Sequence, residues 1–165
     1  MFRDMRRKKQ ALSRQEADEI LDRQTHGVLA LAEEGDYPYA VPLSYVRSGS
    51  TLYFHCAKTG HKLDCIRSNP KASFCVVDQD QVLPSRYTTA FRSVIAFGTV
   101  EIMEDEAQKR EAIELLARKY GPDDDQENRR RYIERDWKPL CMLKMHIEHI
   151  TAKEAIELVR QKTCI

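Results

Sequence analysis

The chain has 165 residues, 42% of them hydrophobic and 32% charged, enough for one domain with a real core and too few for two comfortable ones. Its 27 basic and 26 acidic side chains nearly cancel, so overall charge gives no reason to expect nucleic acid or an anionic membrane as a partner. No window approaches the apolar run of about 18 residues that a membrane span needs, and no apolar core of a secretory signal follows the basic start, so a cytoplasmic protein is expected.

Residues 1–12 contain "FRDMRRKKQ", whose crowded Arg and Lys side chains have no apolar stripe behind them and read as a solvated, flexible arm. A single domain then occupies residues 13–165. Ser13 followed by Glu16 is a capping box, and Ala17, Ile20 and Leu21 repeat at helical spacing, which predicts a helix over about residues 14–23. "HGVLALAEEG" reads as a strand ending in a turn at Gly35, and "YPYAVPLSYVRSGSTLYFHC" as two strands joined by a hairpin at Ser48-Gly49-Ser50. Pro42 has no amide proton, so its strand must lie at an edge or bulge there.

"HKLDCIRSN" predicts a helix of two to three turns that stops before Pro70, and "KASFCVVD" predicts a strand. "RYTTAFRSVIAFGTVEIM" is a long β-branched strand in which Gly98 permits a sharp bend. "DEAQKREAIELLARKYG" is a helix stopped by Gly121-Pro122, and "DDDQENRRRYIERDW" is another behind an acidic cap. "PLCMLKMHIEHI" is a final strand and "TAKEAIELVRQ" a terminal helix, with His146 on a polar face and His149 at a strand end. Five or six strands joined by hairpins indicate an antiparallel barrel, mainly β, with peripheral helices rather than a doubly wound parallel sheet.

The densest chemistry lies in "FHCAKTGHKLD". His55, Cys56, His61 and Cys65 are all metal-ligand types, but neighbours on a strand point to opposite faces and the spacings match no usual ligand set, so no metal is expected. The same alternation separates Cys56 from His55 and places Cys56 with Leu52 and Phe54 toward the core, against a cysteine nucleophile. The five cysteines, Cys56, Cys65, Cys75, Cys141 and Cys164, form no C-x-x-C pair and are expected to stay reduced. Thr59-Gly60 falls where a strand ends and a helix begins, so the first helical amides can take up an anion. Gly60 allows close approach, Lys62 adds a charge and His61 a donor. No phosphate loop and no dinucleotide fingerprint is present.

In its order of motifs, "LYFHCAKTGHKLDCIRSNPKASFCV" resembles the flavin-binding split-barrel superfamily typified by pyridoxamine 5′-phosphate oxidase, with Gly60-His61-Lys62 standing where that family has Ser-Arg-Lys and Asn69-Pro70 as the helix stop. The likeness to the 5-nitroimidazole-resistance (Nim-type) branch is nearer and runs from about Arg6 to Glu154. It implies a six-stranded antiparallel split β-barrel and a homodimer with FMN in each shared groove. By the resemblance, Gly60, His61 and Lys62 would hold the phosphate, Phe54, His55 and Cys56 would line the isoalloxazine edge, and Ala57 and Lys58 would also belong to the cofactor-binding residues. Val41, Pro42, Leu43, Ser44 and Tyr45 would follow the ring with backbone contacts. Arg92 and Ser93, with Trp137, would reach the partner's flavin.

The implied reaction is reduction of a nitro group on a small aromatic ring, with His55 as proton donor or orienting residue. The chain lacks the strand arginine of the oxidases and their C-terminal Arg-x-His motif, so vitamin B6 oxidation is not expected. A non-catalytic flavin- or haem-binding store or sensor is the alternative from another class.

Overall fold

The computed structural model describes residues 2–32, 35 and 37–163. Cys164 lies outside them. Helix α1, Arg14–Arg23, begins with the expected reciprocal cap: the Ser13 hydroxyl accepts from the Glu16 amide, and the Glu16 carboxylate accepts from the Ser13 amide at 2.8 Å. Its apolar stripe, Ala17, Ile20 and Leu21, is buried against the barrel. Strands β1 (His26–Leu31), β2 (Tyr39–Ser44), β3 (Val46–Ser48) and β4 (Thr51–Ala57) follow. Gly49, at φ 59°, turns the β3–β4 hairpin. Helix α2 spans His61–Ser68, β5 Lys71–Leu83 and β6 Thr88–Ile102; then come α3 (Glu106–Tyr120), α4 (Gln126–Asp136), β7 (Leu140–Glu154) and α5 (Ile156–Thr163).

All the pairings are antiparallel, in the order β2-β1-β5-β6-β7-β4-β3. The sheet therefore has seven strands rather than six, and it is not closed. The extra strand comes from one break: the run from Tyr39 to Ser48 divides at Tyr45, and its halves go to opposite edges of the sheet. Pro42 explains the edge position of β2, because it sits opposite Val28 and has no amide with which to pair an eighth strand. A split barrel results.

Alternating side chains fill the interior. Leu52 and Phe54 of β4, Phe74 and Val76 of β5, and Leu143 and Met145 of β7 are all fully buried. Tyr45 also points inward, with its ring 4.9 Å from that of Phe74 and its hydroxyl donating to the Leu21 carbonyl at 2.7 Å. The end of α3 closes the gap: the Tyr120 hydroxyl accepts from the Tyr45 amide at 3.0 Å, and the Lys119 ammonium lies 4.1 Å from the centre of the Tyr45 ring. Gly98 permits the bend in β6, where the register shifts; a Cβ there would lie 1.9 Å from the His146 carbonyl oxygen.

Three local expectations change in the folded chain. Thr151 and Ala152 complete the ladder with Ile95 and Val94, so β7 continues to Glu154 and α5 starts only at Ile156. Tertiary pairing overrides the helical composition of "TAKEA". His149 is within β7 rather than at its end, stacked 4.6 Å from Phe2. The basic start is tied down from its far end: Gln10 is buried and donates to the Glu154 carbonyl at 2.9 Å, and the Leu12 amide donates to Ala152.

Candidate functional site

β4 delivers the chain to the surface at Ala57, and α2 starts four residues later. Between them Gly60 occupies φ 136°, ψ 160°, a conformation essentially reserved for glycine, and a Cβ there would meet nothing within 4 Å. No side chain caps α2, and the Leu63 amide is taken by the Gly60 carbonyl at 2.9 Å, so the uncapped donors of its first turn are the His61 and Lys62 amides. Lys62 is half-buried beside them, and its charge reaches Cys56. The His61 ring stands edge-on to Tyr39, with centroids 4.6 Å apart, and its Nε2 lies 3.6 Å from the Cys65 sulfur. The Tyr39 contact ties β2 to the helix start, and no local sequence signal marks it. Amides, an ammonium and an imidazole on a glycine-made ledge suit a phosphate.

The residues named from the sequence divide between two sides of the sheet. Phe54 is wholly inside the barrel core, 5.0 Å ring to ring from Phe74, and Cys56 packs against the same core. Cys56 lies directly opposite Cys141, and burial with that neighbour pushes its thiol up to about 12, which suits packing and not nucleophilic work. His55, Ala57 and Lys58 are exposed, and His55 stands opposite Met142 on the outer face. Desolvation holds the His55 imidazole below its ordinary pKa. Although the side chain is at the surface, crowding on one side removes enough water to disfavour its charged form.

On β2, Val41 and Leu43 lean on the barrel core while Pro42 is exposed and Ser44 half-buried. Tyr45 is different: its ring is buried and its amide donates to the Tyr120 hydroxyl at 3.0 Å. Arg92 is committed to Glu154 at 3.0 Å, and Ser93 lines a separate cavity of about 460 Å³ with Phe97 and His149. Neither joins the α2 start within this chain. Trp137 is held inside it as well, with Arg110 4.1 Å and Lys109 5.1 Å from its ring centre. Among the described residues no group of three or more His, Cys, Asp or Glu side chains converges as a metal site.

The family model for pyridoxamine 5′-phosphate oxidase matches residues 13–154. Among solved structures, the fold is similar to a Bacteroides thetaiotaomicron protein described as a 5-nitroimidazole antibiotic resistance protein, at 20% identity, covering 87% of this chain and 86% of that one, with a TM-score of 0.73. A FAD-binding protein from Mesorhizobium loti is 26% identical over 88% of this chain and 96% of its own, with a TM-score of 0.66. A FAD and heme binding protein from Mycobacterium smegmatis is 24% identical over 89% and 73%, with a TM-score of 0.72. A shorter likeness, 44% identical over 43 residues, is to an uncharacterised protein of Rhizobium meliloti (strain 1021); it covers 26% of this chain and 28% of that protein.

Proposed function

This chain belongs to the pyridoxamine 5′-phosphate oxidase family, and from that premise we propose that it is an FMN-dependent oxidoreductase acting on a small nitroaromatic or related substrate. The observation that carries the flavin part is the uncapped start of α2, where Gly60 keeps the approach open and Lys62 supplies a positive charge. Those residues would hold the phosphate, with His61, braced by Tyr39, as a further donor. When bound, the flavin supplies the electron transfer. The Mesorhizobium loti neighbour, described as FAD-binding, supports a flavin at such a site, and the Nim-type pattern of motifs supports a nitro group as the electron acceptor.

Desolvation disfavours the charged form of His55, which suits it to orient the substrate as a hydrogen-bond partner. The chain functions as a homodimer. The outer face of the sheet carries the register row Val28, Cys75, Ile95 and Thr151, and Val77 nearby is 56% exposed, an apolar surface that a second copy would cover. Cys56, Cys65, Cys75 and Cys141 form no disulfide, which suits a reducing cytoplasm. No helix among the described residues is long and apolar enough to cross a membrane.

The absorbance of protein as purified, with chromatography of the released cofactor, tests the proposal directly. FMN is the expected release, and anaerobic reduction followed by a nitroimidazole should reoxidise it with loss of the nitro chromophore. A protein that is colourless and refuses added FMN overturns the reading. A haem spectrum, or flavin that is bound but never turned over, would favour the store or sensor instead.

A further inference from the structure

We propose that the cleft between α3 and the outer face of β4, β7 and β6 is a second ligand site, built for a small primary amine with an aromatic or apolar body. The cleft encloses about 610 Å³, within the range of small-molecule sites. It lies along the first half of β4, away from the Ala57 end that leads to α2, and shares no residue with the flavin ledge.

Strand register makes its floor. Thr51, His146 and Thr99 stand in one row across the three strands, and Tyr53, Lys144 and Glu101 in the next. The roof is one stripe of α3, Gln108, Glu111, Ala112 and Leu115, spaced so that all four face the same way. A helix packed on a sheet ordinarily leaves little void. Here α3 meets the sheet at Ala112, which is buried with Met103, Leu140 and Met142, and the cleft lies beside that contact.

Charge selects the occupant. Lys144 is already paired with Glu101 at 2.5 Å, while among the described residues Glu111 has no cationic partner. The cleft therefore carries two carboxylates against one ammonium, an excess that attracts a cation and repels a free acid. Met103, Ala112 and the half-buried Tyr53, which packs against their cluster, form an apolar back wall, and Leu115 stands at the mouth. An ammonium near Glu111 with a ring against Tyr53 satisfies both halves.

The probe is tyramine, titrated into the full-length protein with amide shifts followed by NMR. One saturable site should appear, with shifts at Thr51, Tyr53, His146 and the α3 stripe. The carboxylate of the same body, 3-(4-hydroxyphenyl)propionate, should bind about tenfold or more weakly, and Glu111→Gln should cost tyramine a similar factor with an unchanged melting temperature. Because Glu111 is exposed, that variant leaves the fold intact. The proposal is overturned if tyramine does not saturate, if its shifts map to α2, if the carboxylate binds equally well, or if Glu111→Gln leaves its affinity unchanged.

Discussion

Gly60→Ala separates the role of the α2 ledge from ordinary packing. Gly60 sits at φ 136°, ψ 160°, and an added Cβ meets nothing within 4 Å, so neighbours contribute no clash and the whole cost lies in the backbone. Holding a residue with a side chain in that region costs about 1–3 kcal/mol. If the loop keeps its shape, the melting temperature falls by about 2–12 °C for a chain of this size. If the loop relaxes instead, the stability loss shrinks, and the amides at the start of α2 turn away from the ledge. The same free energy then appears as weaker flavin binding, about 5- to 150-fold. Gly49→Ala is the control, since φ 59° at the β3–β4 turn costs about 1 kcal/mol with equally open space but no connection to the ledge. Thermal unfolding by circular dichroism and FMN fluorescence quenching read the two effects. Wild-type values of both for Gly60→Ala, or an equal loss of FMN affinity in Gly49→Ala, would refute the reasoning.

Lys62→Ala should weaken FMN by about 1–3 kcal/mol through loss of a charge-assisted contact, measured by the same quenching titration, and an unchanged affinity would move the phosphate elsewhere. His55→Ala should keep flavin binding and lower nitroaromatic turnover; in wild type, NMR titration of the His55 ring should give a pKa below that of free imidazole, because folding removes water from its charged form. The Glu16 carboxyl, hydrogen-bonded to Lys162 and Ser13, is pulled from 4.5 down to about 2. A depressed carboxyl stabilises the fold above its unfolded pKa and loses that contribution as pH falls through the folded value. The melting temperature of Lys162→Ala should therefore trail wild type at pH 6, and the gap should narrow from about pH 4.5 toward 2; a gap that is constant with pH would contradict the pairing. Gly98→Ala places a Cβ 1.9 Å from the His146 carbonyl and should destabilise by about 3 kcal/mol or more, visible as a collapsed melting temperature or insoluble protein.

The reading from residues alone succeeded where the determining contacts are local. The Ser13 capping box opened α1, Gly121 closed α3, and strand alternation sent Phe54 inward and His55 outward. Contacts between residues far apart in the chain had no such signal: Tyr45 is held by Leu21 and Tyr120, Arg92 pairs with Glu154, and Trp137 lies against Arg110 and Lys109. Nothing in the neighbourhood of those residues names these partners.

By itself the sequence determined the order and type of nearly every element, the edge character of β2 through Pro42, and the glycine ledge before α2. Each follows from a backbone constraint or a periodicity contained within a few residues. Only the tertiary structure decided that the sheet splits at Tyr45 into seven strands, that Glu154 ends a strand instead of lying in a helix, that Tyr39 braces His61, and that two registered rows meet Ala112 to leave a cleft. Those features depend on strand register and on pairings between residues distant in the chain, where the free energy of closing long loops is recovered only once the whole sheet has formed.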